Sequence, residues 1–528
     1  MSSKSIDEQQ KVDMEKGEND TGSYRVASNT TYGAQQQQDV LGAEDVNPVL
    51  MAKMHLVNDA IDEIGWTSFH LKLFCLSGFG YAVDSLVAVL QSIVAAQAYA
   101  EIGYGGYPTG LTIALYAGLL VGALFWGFGA DMVGRKIAFN TTLFITSIST
   151  IISGAATHWA FFGTFIALLG FGAGGNLVLD PTVFLEFLPS KKQWLVTAMA
   201  TWWGFGQASA GFVAWGYFSR KDFSCDPADP DSCTWQNNKA WRLIMFTSGG
   251  IIFIMSIVRV MVIELTETPK HLLAAGKDEQ LVEELQALAA KHNRPCSLTV
   301  AQLQSLGPVE TERTHHGVGE FARELGSHLR GLFVTRKIAI STTLIWFSWT
   351  LIGLAYPLFF IFLPSLISSR VPNQNPSLNT TWRDYTITSL CASIGPLIAC
   401  VLAEIKFLGR KHTMGIGAVV TAAFFFGYTA VKTSAQNLVL SCCISICINV
   451  YYGTLYAYTA EVLPSAHRTT GNGIAVALNR VMGLLSAVIA QVADTTTVTP
   501  LYICAGLFIV LMIVSAILPF EPRGRRAS

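Results

Sequence analysis

Long apolar runs dominate this 528-residue sequence from residue 73 to residue 519. An α-helix needs about 20 predominantly apolar residues to cross the hydrocarbon core of a bilayer. The chain is 51% hydrophobic and only 13% charged, whereas about a quarter of the residues of a soluble protein are charged. A water-soluble core could not cover this much apolar surface, so we predict an all-α membrane protein with twelve transmembrane helices. The predicted spans are residues 73–97, 109–129, 137–157, 160–187, 193–217, 241–264, 338–363, 384–406, 412–432, 437–460, 469–491 and 500–519.

Two short motifs recur at one constant separation. Gly-Arg-Lys at 134–136 reappears at 409–411, and Glu-Phe-Leu-Pro at 186–189 reappears as Glu-Val-Leu-Pro at 461–464, in both cases 275 positions further on. Two separate matches at one offset indicate a duplicated unit, so we predict two pseudo-symmetric six-helix bundles. The predicted organisation is a disordered cytoplasmic tail at 1–48, an N-terminal bundle at 55–264, a cytoplasmic central loop with short helices at 265–336, a C-terminal bundle at 337–520 and a basic tail at 521–528.

The basic residues of the short loops predict the orientation in the membrane. They fall mostly on one side, which makes that side and the N-terminus cytoplasmic. On the opposite side, Cys225 and Cys233 face the oxidising compartment and are a candidate disulfide, and Asn379 begins a glycosylation sequon. An amphipathic stretch from His55 to Lys72 predicts a helix lying at the membrane interface. We predict a multi-pass protein of the plasma membrane, with a vacuolar or other internal membrane as the alternative.

Several motifs resemble those of a known family. The pattern Gly127-x-x-x-Asp131-x-x-Gly134-Arg135-Lys136 resembles the signature of the major facilitator superfamily between its second and third helices. The stretches 461–471 and 267–272 resemble signatures of its sugar-porter-like branch. The stretches 58–65, 78–84 and 174–189 are similar to the synaptic-vesicle-protein-related group, which includes many fungal and bacterial transporters of small organic molecules. The resemblance covers roughly residues 55 to 520 and implies a secondary transporter.

The resemblance also implies a cytoplasmic gate made of ion pairs at helix ends. These pairs would hold the inner side closed in the outward-open state and separate in the inward-open state. The alternative is that the same charges only determine the topology. The residues that match the family's gate are Asp131, Gly134, Arg135, Lys136, Glu186, Arg410, Glu461 and Arg468.

Three ionisable residues lie inside predicted spans. A charge near the bilayer centre costs at least about 2.5–3.5 kcal/mol, so Asp84, Asp180 and Arg480 each require an explanation. None has a charged counterpart at the 275-residue offset, although a purely structural charge would be expected in both halves. We therefore predict that Asp84 or Asp180 carries a proton and that Arg480 binds an anionic group of the substrate. The alternative is a fixed Asp–Arg pair that holds helices together.

Aromatic and amide residues of the spans are candidates for the wall of a substrate cavity, although such residues also pack between helices or lie at the membrane interface. The spacing does not decide which of them face a cavity. The substrate-binding candidates besides Arg480 are Asn176, Trp202, Gln207, Trp349, Tyr356, Asn449, Tyr452, Tyr456 and Asn479, and Trp203 and Trp346 belong to the same set.

Other function classes are disfavoured by the sequence. The net charge of −1 argues against a nucleic-acid partner. The glycines at 170–175 fit a dinucleotide-binding pattern but lie in an apolar helix, where close helix packing explains them. No nucleophile–base pair, metal triad or ATP-binding motif indicates an enzyme, a metal or a cofactor. We predict a monomeric, proton-coupled carrier of a small organic solute, with a carboxylate favoured; the alternatives are a sugar:proton symporter and a non-transporting nutrient sensor.

Overall fold

A computed structural model describes most of the chain outside the N-terminal tail. The described residues are 48–103, 110–133, 135–225, 229, 233–262, 266–308, 326, 329–370, 378–464, 467–492 and 499–523. All regular structure within them is helical. The α-helices are α1 Pro48–Ile64, α2 Ser68–Ile102, α3 Gly110–Val133, α4 Arg135–Gly154, α5 Trp159–Phe187, α6 Leu195–Met199, α7 Thr201–Phe218, α8 Ala240–Val262, α9 Pro269–Ala274, α10 Asp278–Lys291, α11 Val300–Gln304, α12 Arg336–Arg370, α13 Leu378–Ala392, α14 Ile394–Glu404, α15 Gly409–Tyr428, α16 Ser434–Val462, α17 Arg468–Val492 and α18 Thr499–Ile517.

Every predicted span corresponds to a helix or to two consecutive helices. Within the described part of the chain, ten of these segments are long and apolar enough to cross a membrane. The two others are α6 with α7, and α15. The fifth span is interrupted near Ala200 and the eighth near Ser393, each by a single residue. The predicted all-α membrane fold is confirmed.

The helix boundaries repeat the offset seen in the sequence. Shifted by 275 residues, α5 would run from 434 to 462, and these are the limits of α16. The same shift carries α4 to 410–429, one residue from the limits of α15. A duplicated sequence therefore gives duplicated helices. The residue limits proposed for the tails, the bundles and the central loop remain predictions.

Two helix pairs make the most extensive contacts between the halves. The N-terminal helix α3 packs along α17 of the C-terminal half, and α7 packs along α13. Gly127 and Gly473 allow the first of these contacts, because a Cβ atom on Gly473 would lie 3.1 Å from the Gly127 Cα. Contacts of this kind between small residues let helix backbones approach closely in a membrane protein.

The helix α1 and the central loop form a small helical cap. Apolar residues of α1, among them Val57 and Ile61, are buried against α9 and α10. Lys53 is buried and pairs with Asp278 at the start of α10, with 2.5 Å between Nζ and Oδ2. The helix predicted at 55–72 has other limits: α1 ends at Ile64 and buries its apolar face against the loop, and residues 68–72 begin the first span. The position of α1 at the membrane interface remains a prediction. Short helices in the central loop were predicted and are present.

Candidate functional site

An ion pair joins the two halves midway along their helices. Asp84 lies near the middle of α2, and Arg480 lies twelve residues into α17. Arg480 Nη2 donates a hydrogen bond of 2.7 Å to Asp84 Oδ1. Both residues are buried, with 4% and 6% of their surfaces exposed. Because each half supplies one partner, the pair must break or stretch whenever the halves separate at this level.

Five aromatic side chains form a ring cluster, and its three tyrosines interact electrostatically with the Asp84–Arg480 pair. The members of the ring cluster are Tyr81, Trp203, Trp349, Tyr452 and Tyr456, and all five are buried. The Trp203 ring centroid lies 4.7 Å from that of Tyr452 and 4.6 Å from that of Tyr456. The ring centroids of Trp349 and Tyr456 lie 4.3 Å apart. The first two members come from the N-terminal half and the other three from the C-terminal half, so the cluster also spans the interface.

Amide side chains border the ring cluster. Gln207 Nε2 donates to the Tyr356 hydroxyl across the interface at 2.9 Å. Asn479 Nδ2 donates to the Tyr452 hydroxyl at 3.0 Å and to the Trp349 carbonyl oxygen at 3.3 Å. The structure thus brings together seven of the sequence-predicted substrate residues: Arg480, Gln207, Trp349, Tyr356, Tyr452, Tyr456 and Asn479.

Other buried polar atoms on the helices of this site have no hydrogen-bond partner among the described residues. Among them are the Trp203 indole N–H, the hydroxyls of Tyr81 and Tyr456, and Arg480 Nε. Both amide atoms of Asn176 also lack a described partner, but Asn176 lies on α5, which supplies no residue to the ion pair or the ring cluster. An unsatisfied buried donor or acceptor costs about 1–3 kcal/mol. Such groups require an explanation, and a bound solute or water molecule is one. The site therefore holds donors beyond those that its own contacts use.

Asp180 belongs to a different ion pair, inside the N-terminal half. Arg259 Nη2 donates to Asp180 Oδ1 at 2.9 Å, and neither residue is measurably exposed at its side chain. The same guanidinium donates to the carbonyl oxygens of Leu76 and Phe139. Gly80 makes room for the carboxyl group, because a Cβ atom there would collide with Asp180 Oδ2. This arrangement matches the Asp–Arg pair that the sequence left open as the alternative for Asp180, and its structural or functional role remains a prediction.

Three of the predicted cavity residues have their described contacts elsewhere. Trp202 packs against Phe74 and Phe79 in the N-terminal half, although Trp203 beside it joins the ring cluster. Asn449 donates to the Ser445 carbonyl oxygen of its own helix. Trp346 donates to the Gly471 carbonyl oxygen near the predicted cytoplasmic end.

The predicted cytoplasmic gate residues of the first half lie together. Arg135 is buried and forms an ion pair with the fully buried Glu186. The backbone N–H of Arg135 donates to Glu267 Oε1 at 2.9 Å, which places a carboxylate at the N-terminus of α4. Arg468, from the other half, is buried within electrostatic range of Glu186.

The second half repeats this arrangement with its own residues. Two nitrogens of Arg410 donate to the two carboxylate oxygens of Glu461 at 3.1 and 3.0 Å. Glu521 accepts the Arg410 backbone N–H at 2.9 Å, as Glu267 does for the first half. Arg410 also contacts Glu404 at 3.1 Å.

Further contacts join the halves towards the predicted cytoplasmic side. Asn472 Nδ2, on α17, points at the carbonyl oxygens of Leu177 and Val178 on α5, at 3.4 and 3.3 Å. The close approach of Gly127 to Gly473 lies at the same level of α17. Of the other predicted gate residues, Lys136 is exposed, whereas Gly134 and the side chain of Asp131 lie outside the described residues. The gating role remains a prediction.

The chain matches a known family over most of its length. A family model described as sugar (and other) transporter matches residues 73–521. This chain belongs to that family of major facilitator superfamily transporters.

Relatives of this transporter bear different names. MFS siderochrome iron transporter 1 of Ceriporiopsis subvermispora is 36% identical over 91% of this chain and 92% of that protein. The niacin transporter NiaP of Acinetobacter baylyi is 26% identical over 81% and 88%. A synaptic vesicle 2-related protein of Rattus norvegicus is 24% identical over 89% and 82%, in agreement with the resemblance found in the sequence.

A solved structure confirms the fold of the transporter. The proton:xylose symporter XylE, bound to 6-bromo-6-deoxy-D-glucose, superposes with a TM-score of 0.66 over 87% of this chain and 98% of that chain. The identity is 16%, so this likeness shows the two-bundle fold and nothing of the solute.

The predicted outer side of the transporter carries the remaining candidates. Cys225 and Cys233 are disulfide-bonded in the structure. Gln97, near the end of α2, donates to the Cys225 carbonyl oxygen at 3.1 Å and so holds the loop to the first span. Asn379 is exposed and accepts a hydrogen bond from the Trp215 indole N–H. Its glycosylation remains a prediction.

Sequence reasoning missed several residues of the transporter's polar contacts. Arg259 escaped attention because it lies near the cytoplasmic end of a span, where an arginine ordinarily reaches out to the interface. The sequence did contain a signal for Arg259, because it is a single charge in a segment of α8 that is otherwise apolar. Tyr81 and the acid pair Glu267 and Glu521 were also missed, and their roles depend on contacts between distant parts of the chain.

Proposed function

We propose that this transporter moves a small organic carboxylate by alternating access and couples the movement to protons. The observation that carries the proposal is the buried ion pair between Asp84 and Arg480, which crosses the interface of the two halves. A guanidinium that is buried between moving parts needs an anion, and a carboxylate is the group that it pairs with in two parallel bonds.

The exchange of one carboxylate for another supplies a coupling mechanism. When a substrate carboxylate binds Arg480, it competes with Asp84 for the same nitrogen atoms. An unpaired carboxylate in a buried, apolar place is costly, and proton binding removes that cost. Substrate binding therefore favours protonation of Asp84, and substrate release favours return of Asp84 to Arg480 with loss of the proton.

The names of the relatives are compatible with this proposal and do not decide it. Niacin, named for the bacterial relative, carries a carboxylate on a pyridine ring. A siderochrome, named for the fungal relative, is a much larger solute. The proposal depends on the Asp84–Arg480 pair and uses the niacin relative only as support.

Uptake by the purified full-length protein in proteoliposomes tests the proposal. The panel contains nicotinate, benzoate, lactate, xylose and an organic amine, each with and without an inward proton gradient. We expect uptake of at least one carboxylate, stimulated by the gradient. Arg480→Ala should abolish it, and Asp84→Asn should remove the dependence on the gradient.

Arg383→Ala is the matched control. Arg383 also pairs with an aspartate, but its side chain is 50% exposed, so its removal should leave uptake unchanged. If the protein takes up xylose or the amine but none of the carboxylates, the proposal is overturned. Full gradient-driven uptake by Asp84→Asn and Arg480→Ala would do the same.

A further inference from the structure

We infer that the carboxylate bound by Arg480 is carried on a planar aromatic ring, with the ring cluster as its binding surface. This inference rests on the proposed function, because it assigns the part of the substrate that carries the carboxylate, at the same site. The juxtaposition of the guanidinium with five buried aromatic rings from both halves carries it.

The rings of the cluster meet at tilted and edge-to-face angles. Trp203 lies at 45° to Tyr452 and at 81° to Tyr456, and Trp349 lies at 78° to Tyr456. Tyr81 completes the group at 5.6 Å from Trp203. Tilted and edge-to-face contacts are the geometries that aromatic quadrupoles prefer. A planar ring inserted here would meet both faces and edges of its neighbours.

The distribution of the rings between the halves gives the ligand access. Tyr81 and Trp203 belong to the N-terminal half, and Trp349, Tyr452 and Tyr456 to the C-terminal half. When the halves separate, the contacts of Trp203 with both tyrosines open. An aromatic ligand can replace those lost contacts with equivalent ones, whereas an aliphatic chain of the same size cannot reproduce their electrostatic part.

The polar groups at the site fit a ligand with few hydrogen-bonding atoms. Gln207 and Asn479 already donate to tyrosine hydroxyls. Among the described residues of the ring cluster, the Trp203 indole N–H and the hydroxyls of Tyr81 and Tyr456 remain without partners. A polyol would bring many hydroxyls that need partners. A ring acid brings one carboxylate for Arg480 and at most a ring nitrogen or one substituent for the free donors.

Isothermal titration calorimetry with the purified full-length protein in nanodiscs at pH 7 measures ligand binding and so tests the inference. The probes are benzoate, nicotinate and cyclohexanecarboxylate. Benzoate and cyclohexanecarboxylate have the same charge and the same ring size, but of these two acids only benzoate is planar and aromatic. We expect the better of the two aromatic acids to bind at least about tenfold more tightly than cyclohexanecarboxylate. This difference in affinity is what two or three additional ring–ring contacts would contribute.

Two neighbouring tyrosines of α16 supply a variant and its control. Tyr452→Leu removes a member of the ring cluster and should reduce the preference for the aromatic acid to about threefold or less. Tyr451→Leu removes a ring that points away, towards Phe508, and should keep the preference. Both variants are compared after their folding has been checked by size-exclusion chromatography and thermal unfolding.

The outcomes separate this inference from the proposed function. Equal binding of cyclohexanecarboxylate and the aromatic acids, lost in Arg480→Ala, overturns the aromatic assignment and leaves the carboxylate proposal intact. An unchanged preference in Tyr452→Leu also overturns the assignment. If none of the three acids binds while transport of another solute class is measured, both fall.

Discussion

The ion pair of Asp180 with Arg259 allows a decisive test of whether a buried charge is structural or functional. Arg259→Met leaves Asp180 fully buried with its Oδ1 partner removed, and Oδ2 has none among the described residues. Removing one partner of a buried ion pair typically costs about 3–5 kcal/mol. The Leu76 and Phe139 carbonyl oxygens lose a donor in the same step, so the upper part of this range is expected.

The companion variant removes both charges. Asp180→Asn combined with Arg259→Met leaves no unpaired charge between α5 and α8, and it keeps the size of the residue 180 side chain next to Gly80. A double-mutant cycle should therefore show a coupling energy above about 2 kcal/mol. In the single variant, the melting temperature should fall by about 6–15 °C, and much of this loss should be recovered in the double variant.

Thermal unfolding in detergent, followed by tryptophan fluorescence, measures the stability, and proteoliposome uptake measures the activity. A double variant that is stable and transports establishes a structural role for the pair. A double variant that folds but does not transport shows instead that the pair takes part in transport, which keeps open the proton-carrying role that the sequence predicted for Asp180. If Arg259→Met unfolds at the wild-type temperature, the reasoning from burial is refuted.

Three further predictions concern other parts of the fold. Gly473→Val should force α17 away from Gly127, since even a Cβ atom at position 473 would lie 3.1 Å from the Gly127 Cα. The cytoplasmic side should then open. A cysteine that replaces Asn472 should be alkylated faster in the Gly473→Val variant than in the protein that keeps Gly473. Replacing Cys225 and Cys233 by serine removes a loop closure worth about 2.6 kcal/mol in the chain-entropy model; the melting temperature should fall and should no longer respond to reducing agent. Lys53→Met leaves Asp278 without its buried partner; hydrogen exchange in α10 should accelerate, whereas it should stay unchanged in α16.

Much of the architecture was predictable because the bilayer imposes it locally. A helix that crosses the hydrocarbon core must be apolar over a fixed length, so the twelve spans could be read from composition alone. The duplication was equally accessible, because the motifs at 134–136 and 186–189 kept their spacing in the second copy. The short helices of the central loop followed from a change in composition.

The identity of the partners was less accessible. Asp84 and Arg480 were both singled out, yet their pairing across 396 positions depends on how the halves meet. Trp202 and Trp203 are adjacent in the sequence, but successive residues of a helix point about 100° apart, so only one of them reaches the interface. Arg259 went unnoticed near a span end, although it is fully buried against α2, α4 and α5.

The sequence by itself predicted a multi-pass membrane protein with twelve apolar spans, two related halves and a few charges where lipid would not tolerate them. Only the tertiary structure decided that Asp84 meets Arg480 between the halves, whereas Asp180 meets Arg259 inside one half. The physical reason is one of range. Burial in lipid acts on each helix separately, but the choice of a charged partner depends on the packing of helices that are distant in the chain.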